Sequence, residues 1–203
     1  MVYYHDLITG QSWQVLQNWQ KEFEFVLIGG WAVWLYTHGL KSKDIDLIVD
    51  YVQLEKIRQK YDFSKNDRLK KYETRVNQIS IDIYLDYYSD LGIRISDIRD
   101  YTQSVEGFIV PKIELLLILK QTAYMGRKIS LKGKKDMIDI ISLLQTDDFS
   151  WDNYGQLIQQ YQLHSYVNSL TELLNSHTEI KELDLNKHHY SQFKRKLLQN
   201  LRI

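Results

Sequence analysis

The stretch FVLIGGWAVWLYTHGLKSKDIDLIVD, residues 25–50, contains the most informative pattern of this chain. A compact apolar run over residues 23–28 predicts a buried strand, and the glycine pair that follows predicts a tight turn. Residues 31–38 then predict a helix, which Gly39 closes. The order of elements is therefore strand, glycine turn, helix.

The glycine pair is Gly29–Gly30. Glycine has no side chain to obstruct an approaching group, and a helix N-terminus presents free N–H groups, so a phosphate can come close to this backbone. A plain tight turn explains the same two residues, and the pair alone does not distinguish these interpretations.

Charged and aliphatic residues alternate from Asp44 to Val49, which predicts a strand with two different faces. Residues two apart on a strand point the same way with Cα atoms about 6.5–7 Å apart, so Asp44 and Asp46 share a face. Two such carboxylates can hold Mg²⁺, while Ile45 and Leu47 point into a core. A solvated edge strand that carries two acids is the equal alternative.

A third acid lies in a later predicted strand, residues 79–85, where isoleucine and leucine alternate with polar residues. Asp82 sits between apolar residues, where an acid is costly unless it has a purpose. It is a candidate third metal ligand or proton acceptor. Asp86, on the same face at the strand end, is its rival.

These parts, in this order, resemble the DNA polymerase β-like nucleotidyltransferase superfamily. Thirteen residues separate Gly30 from Asp44, and the words GGWAV and KDIDL look most like its small resistance-type and abortive-infection-type members. The resemblance covers residues 23–86. It implies an α+β fold, in which a nucleotidyltransferase-like mixed sheet with flanking helices is followed by a helical C-terminal region.

The resemblance also implies site residues. Asp44, Asp46 and Asp82 would be the catalytic acids and would bind Mg²⁺ or Mn²⁺. The implied nucleotide-binding residues in this part of the chain are Gly29, Gly30, Ser42 and Lys43. Related proteins often have an arginine before the acid pair, whereas this chain has Lys41-Ser42-Lys43, so that detail does not match.

A second similarity covers residues 111–144, which resemble the helical part of abortive-infection nucleotidyltransferases of the AbiEii type. It implies that Lys120 binds a phosphate and that Asp136 orients the phosphate or the acceptor, with Arg127 and Asp139 nearby. An ordinary surface salt bridge between adjacent helices explains Lys120 and Asp136 equally well.

Pro111, the single proline, marks the change from mixed to helical periodicity and is expected in the first turn of a helix. We therefore predict a nucleotidyltransferase-like core over residues 1–110 and a helical region over residues 111–203 that completes the active-site cleft. The predicted helices of that region cover residues 112–125, the Met137–Leu144 segment, 151–162, 165–175 and 188–201.

Two basic runs are open to two interpretations. Residues 56–75 are rich in lysine, arginine and tyrosine, and we favour a solvated helix face and loop over a guide for a nucleic-acid backbone. Residues 132–135 similarly favour a loop over a phosphate contact.

The composition limits the class of protein. Of 203 residues, 44% are hydrophobic and 26% are charged, as in globular proteins, and the net charge of zero argues against a protein that coats nucleic acid. The chain has no cysteine, which excludes thiolate catalysis and cysteine-bound zinc. The N-terminus lacks a secretory pattern and no apolar run would span a membrane, so a cytoplasmic location is expected.

The leading hypothesis is an enzyme that transfers a nucleoside monophosphate from an NTP to the hydroxyl of a tRNA, a protein or a small molecule. A toxin that pairs with an antitoxin protein is one form of it. The alternative is a non-catalytic, antitoxin-like or regulatory module that keeps the fold.

Overall fold

The structure, a computed structural model, describes residues 2–201, with side chains from residue 7. It divides into two compact units at the bond between Lys112 and Ile113. The boundary predicted from the sequence lies between residues 110 and 111. The first unit contains, in chain order, α1 (Val2–Gln20), β1 (Val26–Ile28), α2 (Gly29–Thr37), β2 (Ile45–Ile48), α3 (Tyr51–Arg58), β3 (Ser64–Asn66), β4 (Lys71–Val76), β5 (Ile79–Tyr84), α4 (Ile95–Asp100), β6 (Thr102–Val105) and β7 (Phe108–Pro111).

Five of these strands form one mixed sheet in the order β1-β2-β5-β4-β3. Strands β2 and β5 are parallel, and the other neighbouring pairs are antiparallel. The first half of the chain thus supplies a sheet with helices around it, and the predicted α+β class is confirmed.

Alternation of side chains decides which face of β5 is buried. Ile79, Ile81 and Ile83 are at most 1% exposed, whereas the intervening Ser80 and Asp82 are only partly buried. Because successive residues of a strand point to opposite faces, the polar residues emerge together on one face of the sheet. That face carries the candidate site.

Strands β6 and β7 form a separate hairpin. Glu106 and Gly107 make its turn with φ values of +50° and +83°, as expected for a two-residue turn with both central residues in the left-handed region. Pro111 ends β7 opposite Thr102, and the next helix begins only at Ile113. The expectation that Pro111 lies in the first helical turn is wrong, since proline also fits a two-stranded ribbon whose strands are both edges.

The second unit is helical. Its elements are α5 (Ile113–Arg127), α6 (Leu131–Leu144), α7 (Trp151–Gln160), α8 (His164–Asn175), a short 3₁₀ turn (Lys181–Leu183) and α9 (Lys187–Asn200). Buried polar contacts connect these helices. Tyr154 donates a hydrogen bond to Gln121 Oε1 (3.0 Å), and Gln121 Nε2 in turn donates to the carbonyl of Tyr166 (3.0 Å).

The secondary structure predicted for the two basic runs is wrong in part. Residues 56–58 end helix α3 as predicted, but residues 56–75 also include β3 and most of β4, because Lys71–Val76 pairs with strands on both sides. Residues 132–135 lie in the first turns of α6 rather than in a loop, since the hydroxyl of Ser130 caps that helix by accepting from Gly133 N at 3.0 Å.

Among the helices within residues 2–201, none combines the length and the apolar character that crossing a bilayer requires.

Candidate active site

A row of acidic residues crosses the middle of the sheet. Asp46 of β2 lies opposite Asp82 of β5, and Asp82 lies opposite Glu73 of β4. Residues in register on neighbouring strands are about 4.8 Å apart and point to the same face. Asp46, Asp82 and Glu73, which we call the acid row, therefore present their carboxylates together.

Asp44 extends this group of carboxylates. It precedes β2 by one residue and is two residues from Asp46, and its charge acts on the carboxyl of Asp82. Ile45 and Leu47 are 1% and 0% exposed on the opposite face. Since β2 lies between β1 and β5, the alternative of a solvated edge strand is wrong.

Gly29, which follows β1, lies against the carboxylate of Asp46. Ile28 is the register partner of Asp46 on β1, and Gly29 follows it with φ of +68°. A Cβ atom on Gly29 would lie 2.7 Å from Cγ of Asp46, closer than real Cβ contacts allow. Glycine is needed here both for the left-handed backbone and for the space that the Asp46 carboxylate occupies.

Lys71 is a site residue that the sequence prediction missed. Its ammonium donates to Asp82 Oδ2 at 2.5 Å and lies 2.9 Å from Glu73 Oε1, while the side chain is only 11% exposed. Glu73 also accepts from Asn66 Nδ2 at 3.1 Å. The ammonium of Lys71 therefore bridges two of the three carboxylates in the acid row.

One sequence signal could have located Lys71. From Lys71 to Val76 charged residues alternate with the strand-favouring Tyr, Thr and Val, and Asn77 follows with φ of +56°, as in a hairpin turn before β5. An interpretation of residues 71–84 as a hairpin would have placed the lysine next to a strand that carries Asp82. Its contact with Asp82 depends on the register, which local periodicity does not define.

Burial and charge act in opposite directions on this ion pair. Burial raises the pKa of the Asp82 carboxyl, the hydrogen bond from Lys71 opposes that rise, and the carboxylates of Glu73 and Asp44 add to it. Burial lowers the pKa of the Lys71 ammonium, but its hydrogen bonds to Asp82 and Glu73 outweigh burial and raise the pKa overall. Lys71 thus stays protonated, and Asp82 holds a proton more readily than an exposed aspartate does.

The other predicted nucleotide-binding residues of this unit lie close in sequence to the acids. Gly30 is buried in the first turn of α2. Ser42 is 4% exposed, and Lys43 is exposed, in the segment that leads into β2. The structure brings Gly29, Asp46 and Asp82 together, and the roles predicted for Ser42 and Lys43 stay predictions.

The carboxylates of Asp44 and Asp46 fit a divalent ion that takes few protein ligands. Among the side chains described, from residue 7 to residue 201, no three acidic or imidazole groups are arranged to enclose an ion by themselves. Mg²⁺ usually takes one or two protein carboxylates and completes its octahedron with water and substrate phosphate. Asp44 and Asp46, two residues apart at the start of β2, are a carboxylate pair of that kind.

The second unit contains an ionic cluster of Lys120, Arg127, Asp136 and Asp139, in which all but the exposed Arg127 are buried. Arg127 donates to both carboxylate oxygens of Asp136, at 2.7 and 3.0 Å. The ammonium of Lys120 lies 2.7 Å from Asp139 Oδ2 and 3.6 Å from Asp136 Oδ1. Both acidic side chains are 2% exposed and that of Lys120 is 9% exposed.

This burial rules out one of the two interpretations made from the sequence. Lys120 and Asp136 do come together between α5 and α6, but they are not the surface salt bridge of the alternative. Two cations face two carboxylates in this cluster. The predicted part of Lys120 and Asp136 in nucleotide binding stays a prediction.

Several solved structures align with the structure of this chain. JHP933 from Helicobacter pylori aligns with a TM-score of 0.50 at 13% identity, over 97% of this chain and 93% of that one. A candidate nucleotidyltransferase from H. pylori aligns with a TM-score of 0.49 at 15% identity, over 97% and 96%. Megavirus polyadenylate synthase aligns with a TM-score of 0.47 at 13% identity, over 74% of this chain and 33% of that one.

No protein-family model matches the chain, and no curated protein matches it. At identities of 13–15% the structural likeness concerns the fold alone. The abortive-infection subtype suggested by the sequence stays a prediction. The chain has the mixed sheet, the flanking helices and the helical C-terminal region predicted for it, and it shares this fold with JHP933 over nearly the full length of both chains.

Proposed function

We propose that the protein is a metal-dependent nucleotidyltransferase that transfers a nucleoside monophosphate from an NTP to an acceptor hydroxyl. The observation that carries this proposal is the acid row next to the glycine turn, with Asp46 packed against Gly29 and aligned with Asp82. Asp44, Asp46, Asp82 and Glu73 together supply four carboxylates and Lys71 one ammonium. Carboxylate oxygens are ligands that Mg²⁺ prefers, so the pair of Asp44 and Asp46 favours a bound divalent cation.

In this proposal Asp44 and Asp46 hold Mg²⁺ or Mn²⁺ together with the phosphates of the NTP. When bound, the ion neutralises phosphate charge and orients the donor. The backbone at Gly29 and Gly30, between β1 and α2, offers N–H groups to the phosphates without a side chain in the way.

Asp82 is proposed as the proton acceptor. Burial raises the pKa of its carboxyl, which brings it closer to the range in which a general base works at neutral pH. The acceptor hydroxyl gives its proton to Asp82 while its oxygen forms a bond to the α-phosphorus. The bond from that phosphorus to the bridging oxygen breaks, and pyrophosphate leaves with the electron pair.

The test is calorimetric titration of each of the four NTPs, with and without Mg²⁺, into the protein and into the Asp44→Asn/Asp46→Asn variant. We expect magnesium-dependent binding of at least one NTP and a loss of at least tenfold in affinity in the variant. The Asp147→Asn/Asp148→Asn variant, which changes two adjacent exposed acids, is the matched control and should bind as the unaltered protein does.

Two outcomes contradict this proposal. Absence of NTP binding under any condition removes the donor substrate, and equal binding by the two double variants removes the role of the acid pair. Once a donor NTP is known, release of pyrophosphate in the presence of tRNA, protein or small-molecule hydroxyls identifies the acceptor class.

The second candidate is a non-catalytic module that binds a nucleotide or a partner such as a toxin or antitoxin protein. The ion pair between Lys71 and Asp82 favours it, because the hydrogen bond from Lys71 opposes the rise in the pKa of Asp82 and makes this carboxylate a weaker proton acceptor than an unpaired one with the same burial. NTP binding without pyrophosphate release from any acceptor class would support this candidate over the enzyme.

A further inference from the structure

The ammonium of Lys71 occupies a defined place at one end of the acid row. It lies between Asp82 of β5 and Glu73 of β4, at 2.5 and 2.9 Å from one oxygen of each. Both contacts follow from the sheet itself, since Lys71 and Glu73 share a face of β4 and Glu73 is in register with Asp82. The lysine is held by the strands and not by a flexible loop.

The pair is also shielded from water. The side chains of Lys71 and Asp82 are 11% and 16% exposed, so their attraction is screened far less than that of a surface pair. Removing one partner of such a pair leaves an uncompensated charge. The structure therefore favours a state in which Asp82 keeps an ammonium as its counter-charge.

A divalent ion bound to the Asp82 carboxylate would have to share it with the ammonium of Lys71. In two-metal sites the ions lie about 3.5–4 Å apart and the carboxylates between them serve both. The ammonium that lies 2.5 Å from Asp82 Oδ2 already uses one oxygen of that carboxylate and repels a second ion there.

We propose that Lys71 takes the place of a second divalent ion at Asp82, so that the protein binds a single Mg²⁺ or Mn²⁺ through Asp44 and Asp46. This inference rests on the proposed function and makes it more specific. Lys71 is a positioning residue: it holds the Asp82 carboxylate in place and supplies the positive charge there.

The experiment counts Mn²⁺ ions bound by the intact protein, without nucleotide, from the loss of the free-ion signal in electron paramagnetic resonance. We expect one ion for the unaltered protein and two for Lys71→Met, because the freed carboxylates of Asp82 and Glu73 then accept a second ion. Lys71→Arg keeps the charge and should bind one. Lys65→Met removes an exposed lysine on the neighbouring strand β3 and should also bind one.

Circular dichroism shows whether Lys71→Met folds. If it does not fold, a second variant keeps the test decisive. Asp82→Asn leaves Asp44 and Asp46 intact. If Asp82 pairs with Lys71 and is not a metal ligand, this variant still binds one Mn²⁺ with a Kd within tenfold of the unaltered protein. Loss of the ion would show that Asp82 is a metal ligand and would overturn the inference.

The remaining outcomes separate the two proposals. Two ions on the unaltered protein, or one ion with unchanged Kd on a folded Lys71→Met variant, overturn the inference about Lys71 and leave the proposed function standing. Absence of bound Mn²⁺ on the unaltered protein, together with absence of magnesium-dependent NTP binding, overturns both.

Discussion

Gly29 determines how closely the backbone can approach Asp46. Its φ of +68° lies in the left-handed region, and the position of a Cβ atom is already filled by the Asp46 carboxylate. The turn and the acid are therefore coupled, although seventeen positions separate them in sequence. A glycine pair that looked like a weak motif by itself becomes specific through this contact.

We predict that Gly29→Ala lowers the free energy of unfolding by about 1–3 kcal/mol, because alanine is strained at this φ and displaces Asp46. It should also weaken Mn²⁺ binding. Gly10→Ala is the control, since Gly10 is exposed in α1 with open space around it, and there alanine should stabilise by about 0.5–1 kcal/mol. Urea unfolding measures both, and equal stability of the two variants would contradict the prediction.

At the scale of elements, the contact between α5 and α6 includes the ionic cluster of Lys120, Arg127, Asp136 and Asp139. Lys120 on α5 faces two carboxylates of α6 that are almost completely buried. The cluster therefore has a structural role in this unit, whatever part it also has in binding.

We predict that Lys120→Met destabilises the protein by about 3–5 kcal/mol, because it leaves Asp139 charged and buried without its ammonium. Adding Asp139→Asn to that variant should recover most of the loss, since the amide carries no charge. Lys181→Met, at a lysine that is 85% exposed, is the control and should be nearly neutral. Denaturant unfolding measures the three variants, and a near-neutral Lys120→Met would contradict a structural role.

The contact between α8 and α9 predicts a dependence on alkaline pH. Tyr190 of α9 donates to the carbonyl of Leu174 at 2.9 Å, and burial raises the pKa of its phenol to about 12. Above pH 10, about where an unfolded tyrosine titrates, the unfolded chain releases a proton that the folded chain keeps. Stability from this group therefore falls as the pH rises from 10 towards 12.

Tyr190→Phe should thus be less stable than the unaltered protein near neutral pH, by about 1 kcal/mol for the lost hydrogen bond. The difference should shrink as the pH rises above about 10. Tyr87→Phe, at a tyrosine that is 95% exposed, should show no such convergence. Urea unfolding at several pH values gives the answer, and a constant difference between Tyr190→Phe and the unaltered protein would refute the assignment.

At the scale of the whole molecule, each unit has a buried core of its own. Leu27, Leu47 and Ile81 are fully buried in the first, and Leu116 and Ile140 are fully buried in the second. Chains with their own cores fold independently as a rule.

We predict that fragments 1–112 and 113–203 each unfold cooperatively when expressed alone. The second should give a helical circular dichroism spectrum, because its elements are helices throughout. The first should bind Mn²⁺, since Asp44 and Asp46 lie within it. A fragment that melts without cooperativity would show that its core depends on the other unit.

Several features followed from local sequence because they depend on local physics. The strands with Asp46 and Asp82 were predicted from alternation, and most helices from their periodicity, although β1 covers only Val26–Ile28 of the predicted residues 23–28. His38, expected at a helix end, does cap α2 in the left-handed conformation. The glycine turn and the acid pair are likewise visible within 26 consecutive residues, 25–50.

The sequence by itself therefore determined the fold class, the glycine turn and the acids on two strands. Only the tertiary structure decided that Asp46, Asp82 and Glu73 are aligned, that Lys71 pairs with Asp82, and that the cluster around Lys120 is buried. The physical reason is that side-chain periodicity defines which face a residue occupies, whereas the partner strand, its register and the burial of a charge depend on contacts between segments distant in sequence.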